Sequence, residues 1–193
     1  PLNYRGHITN VSHELVARTS EMTTLGAESG YQHLWLRATS EVPAGELFRQ
    51  TWLNDGRFYT HTALADSGVS AMFTELGAND PDFNLRNEPG LILRATDRSD
   101  HYFVSLLEPH GEYNGAREFT TDSASGIDTM ERFHEDGKDF ILIRTPEVRV
   151  KVALSWNPDP TAEHSISAGG NEILWRGFHN VNIYKLGEKP SSY

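Results

Sequence analysis

A chain of 193 residues with 37 % hydrophobic, 10 % aromatic and 23 % charged residues has the make-up of a folded protein and can bury ~70 % of its unfolded surface. The formal charge of −10, from 17 basic and 27 acidic residues, argues against nucleic acid and anionic membrane as partners, because both call for a basic face. With no cysteine, disulfides and thiolate-bound zinc are ruled out, and no apolar run reaches the ~18 residues of a membrane-spanning helix.

The chain opens Pro-Leu-Asn-Tyr, without an initiator methionine or a charged and then apolar leader, and reads as a segment of a longer polypeptide. From there the pattern is β. His33 to Ala38 and Leu47 to Leu53 are short, aromatic-rich and partly alternating, as strands are. Arg57 to Leu64 follows Asn54-Asp55-Gly56, and Asp-Gly between two such runs signals a tight hairpin because both residues tolerate positive φ. Val69 to Leu76 leads into Gly77-Ala78-Asn79-Asp80-Pro81-Asp82-Phe83-Asn84-Leu85-Arg86, and Gly90 to Ala95 leads out. That stretch is too long and polar for a simple reversal. It reads as a loop organised for contact and anchored by Pro81, Phe83 and Leu85.

Further on, His101 to Leu107 is expected to stop at Glu108-Pro109-His110-Gly111, where proline removes a ladder donor. Asn114 to Glu135, rich in Ser, Thr, Asp and Gly, fits a surface excursion with a short helix near Asp128 to His134. Lys138 to Arg144 and Val148 to Trp156 form a hairpin bent at Thr145-Pro146-Glu147. Val148, Val150, Val152 and Leu154 alternate with Arg149, Lys151 and Ala153, the period of a half-buried strand. Ala168-Gly169-Gly170-Asn171 reads as a β-turn, and Glu172 to Trp175 and Val181 to Tyr184 close the domain. About ten strands separated by turn residues predict an all-β fold, an antiparallel β-sandwich of two packed sheets. It spans residues 1–186, with 187–193 as a flexible tail.

Candidate chemistry is sparse. Glu108, His110 and Glu112 are spaced by two; on an extended backbone they would share a face and offer ligands for a divalent metal. Pro109 and Gly111 interrupt such alternation, so a turn carrying solvated charges is the other reading. None of the nine histidines has the helical spacing of a zinc protease, and His61 and His101 read as strand-face residues. Arg86 ends the polar loop and Arg94 sits in the strand beyond it, and a guanidinium can hold a carboxylate through two parallel hydrogen bonds. Asn79, Asp80 and Arg86 are therefore the candidate substrate-binding residues. The alternative is that Arg86 pairs with Asp80, Asp82 or Glu88 and only stiffens the loop. Trp35, Trp52, Trp156 and Trp175 read as core residues or as a sugar-stacking platform.

Gly30 to Trp35, Trp52-Leu53-Asn54 with Arg57 to Thr60, Gly77 to Arg86 with Glu88-Pro89-Gly90, and Ser105 to Gly111 occur in that order. Together they resemble the C-terminal region of the family 17 polysaccharide lyases, the alginate and oligoalginate lyases of the heparinase II/III-like group, from about Tyr4 to Leu186. The resemblance implies an N-terminal α/α toroid and a catalytic β region of the same polypeptide as partners, and alginate oligosaccharide as substrate. It also implies a periplasmic or secreted location. Such enzymes cleave uronate chains by β-elimination, which needs a neutralised carboxylate, a base for the C5 proton and an acid for the leaving O4. In the family those groups, and His and Asp ligands to zinc, come from the toroid and the early β region. This chain matches neither, so no catalytic residue is assigned and Tyr4 is not placed in that role.

Glu108 is the position matching a further zinc ligand. Zinc is thus expected in the complete protein, and no cofactor for this chain alone. The expected function is a supporting and cleft-forming C-terminal domain of an alginate or oligoalginate lyase. A freestanding carbohydrate-binding module and a non-catalytic structural or interaction domain are the alternatives.

Overall fold

Asp55 and Gly56 hold φ of 48° and 75°, the two left-handed residues that a two-residue hairpin demands. They join β5 (Leu47–Asn54) to β6 (Arg57–Leu64) as the Asp-Gly signal predicts. Asp136 and Gly137, at 47° and 68°, repeat the device between β11 (Thr129–Glu135) and β12 (Lys138–Arg144). Gly169 and Gly170, at 58° and 72°, do so between β14 (Glu163–Ala168) and β15 (Asn171–Arg176). The structure, a computed structural model, describes residues 7–13, 16–17, 23–24, 34–77 and 87–186. Among the described residues there is no helix, and all sheets are antiparallel. Among the described residues the strands number sixteen rather than about ten: short pieces at 16–17, 23–24 and 119–121 add three, and 7–11, 129–135 and 163–168 are strands that the sequence pattern did not single out. The expected tail at 187–193 lies outside the described residues.

The chain divides into two compact units, Pro1–Ser125 and Gly126–Tyr193. In the first, β1 (His7–Val11), β5, β6, β9 (Val104–Asn114) and β10 (Phe119–Thr121) form one sheet in that order. A second sheet runs β2 (Val16–Ala17), β4 (Leu34–Val42), β7 (Val69–Gly77), β8 (Asn87–Ala95), with β3 (Thr23–Thr24) also on β4. Phe48 of the first sheet packs on Phe73 of the second at 6.2 Å between ring centroids. Ala38, Val42, Val69 and Ala71 complete this core, with Val11, Leu91 and Leu93 at its border. These are the two packed sheets of a sandwich.

In the second unit β11, β12, β13 (Val148–Ser155) and β16 (His179–Lys185) form a sheet in that order. The β14–β15 hairpin lies on it, and Phe140, Leu142 and Ala153 meet Ile166, Ile173 and Trp175. Ala153 is the fully buried residue of β13, whereas the alternating valines beside it are half-buried. The buried face is therefore set by the hairpin that covers it rather than by the most apolar positions.

Two expectations are corrected. Residues 129–135 form strand β11, not a helix: they pair residue for residue with β12, Thr129 opposite Arg144 through Glu135 opposite Lys138. Met130 on that strand is buried, and tertiary pairing overrides the weak local helical preference. Strand β9 does not stop at Pro109 but runs to Asn114. Pro109 pairs with Tyr59 of β6, and on its other side β10 joins only from Glu112 onward, so the missing N–H falls where no ladder requires it. The strand also starts at Val104, leaving His101 ahead of it.

Two residues later the ladder shifts register, Phe58 facing His110 and Arg57 facing Glu112. Gly111 is the extra residue, with φ +49°, the geometry of a glycine bulge. A Cβ there would stand 2.1 Å from the carbonyl oxygen of Asp122 and 2.3 Å from that of Thr121. Gly111→Ala is expected to lower stability by about 2 kcal/mol or more. Gly115→Ala, where a Cβ would meet only Tyr113 at 3.6 Å, should stay within about 0.5 kcal/mol. Urea unfolding of the two variants makes the comparison, and equal midpoints would refute it.

Candidate functional site

Extension of β9 through Pro109 puts Glu108 and His110 on one face, opposite the fully buried Thr60 of β6. The bulge then turns Glu112 away, and it is exposed. The sequence triplet thus resolves into a pair. His110 Nδ1 lies 2.7 Å from the carbonyl oxygen of Asp122, which can only accept, so this nitrogen carries the proton. In the neutral ring Nε2 then accepts from Thr60 Oγ1 at 2.8 Å, and Thr60 accepts from Thr51 at 2.7 Å. The imidazole stacks on Phe58 with 6.1 Å between centroids. Glu108 accepts from Ser125 Oγ at 2.6 Å through Oε2. This is an oriented, half-buried carboxylate beside a histidine whose two ring nitrogens are both engaged.

The described residues do not make a zinc site. His110 is committed on both nitrogens, and among the described residues no group of three or more His, Cys, Asp or Glu is arranged to hold a metal. Glu108 by itself has the chemistry of a single ligand. Asn79, Asp80 and Arg86, with most of their loop, lie outside the described residues, as does Tyr4. Arg94 is exposed on β8, paired in register with Ser70.

A second polar cluster went unseen in the sequence. Asp139 of β12 is 3 % exposed. Its Oδ1 accepts from Arg132 Nε at 2.7 Å and from His134 Nδ1 at 3.1 Å, and its Oδ2 accepts from Trp156 Nε1 at 2.9 Å. Burial alone would raise its pKa; the hydrogen bonds from Trp156, Arg132 and His134, with the Arg132 charge, outweigh that and hold it below the ordinary value. The available signal was a lone carboxylate in the run Lys138-Asp139-Phe140-Ile141-Leu142, facing Arg132 and His134 across the Asp136-Gly137 turn. Trp156, read from sequence as core or platform, is 58 % exposed, while Trp175 is buried at 6 %.

Comparison with known proteins follows the same lines. Residues 148–182 match the family model described as exo-oligoalginate lyase-like, C-terminal domain. An alginate lyase of Stenotrophomonas maltophilia is 39 % identical over 180 residues, 93 % of this chain and 24 % of the relative. An exo-oligoalginate lyase of Saccharophagus degradans is 38 % identical over 188 residues, 95 % of this chain and 25 % of the relative. The chain spans about a quarter of the length of these curated relatives. The resemblance to the C-terminal β-sandwich region of the family 17 polysaccharide lyases stands.

Because the Asp139 pKa is depressed by folding, its ionised form contributes stability above the unfolded carboxylate pKa. That contribution is lost as pH falls through the unfolded value toward the lower folded one. Unfolding midpoints followed by tryptophan fluorescence should therefore drop below about pH 4. Asp139→Asn should cost about 3 kcal/mol at neutral pH, since Arg132 loses its buried partner, and should flatten the acid limb. An unchanged acid limb would show that the charge on Asp139 is not what the cluster stabilises.

Proposed function

We propose that this chain acts as a supporting and cleft-forming C-terminal domain of an alginate or oligoalginate lyase. The observation that carries the reading is identity of 38–39 % to two such lyases over more than nine-tenths of this chain. In this reading an α/α toroid and a catalytic β region of the same polypeptide supply the base and acid of the β-elimination. The chain contributes binding surface and support. Residues Asn79, Asp80 and Arg86 recognise the uronate, Arg86 through the bidentate geometry that carboxylates favour. Glu108, oriented by Ser125, lends one ligand to a zinc site completed by residues outside those described. The His110–Thr60–Thr51 chain of hydrogen bonds holds β9 so that Glu108 keeps its direction. Substrate of this kind places the protein in the periplasm or outside the cell.

The test compares the 193-residue chain with the longer polypeptide that contains it, following the ultraviolet absorbance of the unsaturated product on alginate. The chain alone is expected to release none and the longer protein to do so. In the longer protein Glu108→Ala should lower zinc content and cut activity by about 10- to 100-fold, the range seen for ligand-shell losses. Elimination by the isolated chain would overturn the supporting role, and unchanged zinc content in the variant would remove Glu108 from the metal.

A further inference from the structure

Trp156 is 58 % exposed, and the apolar ring surface that it leaves against water is unfavourable there. Trp156 is nevertheless held firmly in that position. Its ring N–H is bonded to the buried Asp139 at 2.9 Å, and its backbone N–H to the Gly137 carbonyl at 3.0 Å. Its polar atom is satisfied on the protein side, so what the ring offers outward is apolar surface in a fixed orientation.

Trp156 borders a solvent-open cavity of about 520 Å³, lined also by Lys138, Asn157, Glu163, Ser165 and Asp136. That volume lies within the ~300–1,000 Å³ typical of ligand pockets. Lys138 Nζ donates to the Ser165 carbonyl at 2.9 Å, and an ammonium carries three donors. The cavity thus joins one flat apolar wall to a cation, amide and hydroxyl groups, and carboxylate acceptors. A pyranose ring has the matching chemistry: a C–H face that packs on an aromatic plane and a rim of hydroxyls that both donate and accept. A uronate adds one carboxylate, for which Lys138 is the cation in the cavity.

We propose that this cavity is a saccharide-binding subsite of the second unit, with Trp156 as the stacking platform and Lys138 reading the uronate carboxylate. Asp139, with Arg132 and His134, is a positioning group that fixes the indole and does not touch the sugar. Glu163 and Asp136, and the chain's net charge of −10, oppose long-range attraction of a polyanion. Affinity therefore rests on close contacts to one or two rings and falls in the millimolar range.

The choice of a uronate rests on the reading of this chain as part of an alginate lyase, whereas the cavity itself does not. Titration of the 193-residue chain with mannuronate and guluronate trimers, followed by tryptophan fluorescence and by calorimetry, is the test. Millimolar binding that weakens tenfold or more in Trp156→Ala supports the platform. Trp156→Phe keeps a ring but loses the bond to Asp139, and intermediate binding is expected; unfolding curves of both variants verify that they fold. Lys138→Met should weaken the uronate trimers but not a neutral mannose trimer.

No heat and no fluorescence change at millimolar trimer would overturn the subsite, as would Trp156→Ala binding as tightly as the parent chain. Binding of the neutral trimer alone would overturn the uronate assignment. Elimination activity of the longer polypeptide is measured independently, so either reading can fail without the other.

Discussion

At Gly111 strand β9 passes so close to the Thr121–Asp122 backbone that no side chain fits between them, and the face built on that strand depends on this passage. Closeness of the two backbones brings the Asp122 carbonyl to His110 Nδ1, which fixes the protonated nitrogen and leaves the other to Thr60. The same bulge sends Glu112 to solvent while Glu108 and His110 share a face. One backbone contact therefore decides which acidic residue of the motif is presented and which ring nitrogen can accept.

The two units solve the burial of polar groups differently. In the first, a row of hydrogen bonds runs from Thr51 through Thr60 to the His110 ring and on to the Asp122 carbonyl. In the second, a carboxylate is taken almost wholly out of water and surrounded by donors from Arg132, His134 and Trp156. Such a charge is tolerable only when its acceptor sites are satisfied. Here the satisfying groups come from β11 and from the residue that follows β13, and through Asp139 they tie both to β12.

Much of the fold was legible in the residues, because the signals were local. Asp55-Gly56 and Gly169-Gly170 gave tight turns where positive φ was needed, and the bend at Thr145-Pro146-Glu147 separates β12 from β13 as expected. What failed depended on distant partners. Pro109 reads as a strand end until it is known that, among the described residues, β10 joins that side only from Glu112 onward. Residues 129–135 read ambiguously until β12 lies beside them. The candidate site was half legible: Glu108 and His110 stand out by residue type and spacing, but Thr51, Thr60 and Ser125 carry no chemical signature of their own, and only cross-strand register shows what they hold. Asp139 escaped for the same reason, since a single carboxylate in an apolar run does not announce the three donors around it.

Three of the pairings in the second unit, β11–β12, β12–β13 and β14–β15, link strands adjacent in the chain, whereas β13–β16 spans the whole β14–β15 hairpin. Local pairings form early and distant ones late, because loop closure must precede the contacts that reward it. During synthesis from the N-terminal side, β13 is therefore an open sheet edge until β16, the last described strand, emerges. The alternating Val148, Val150 and Val152 on that edge make this interval the one most exposed to mispairing, and Arg149 and Lys151 between them are the charges that discourage it.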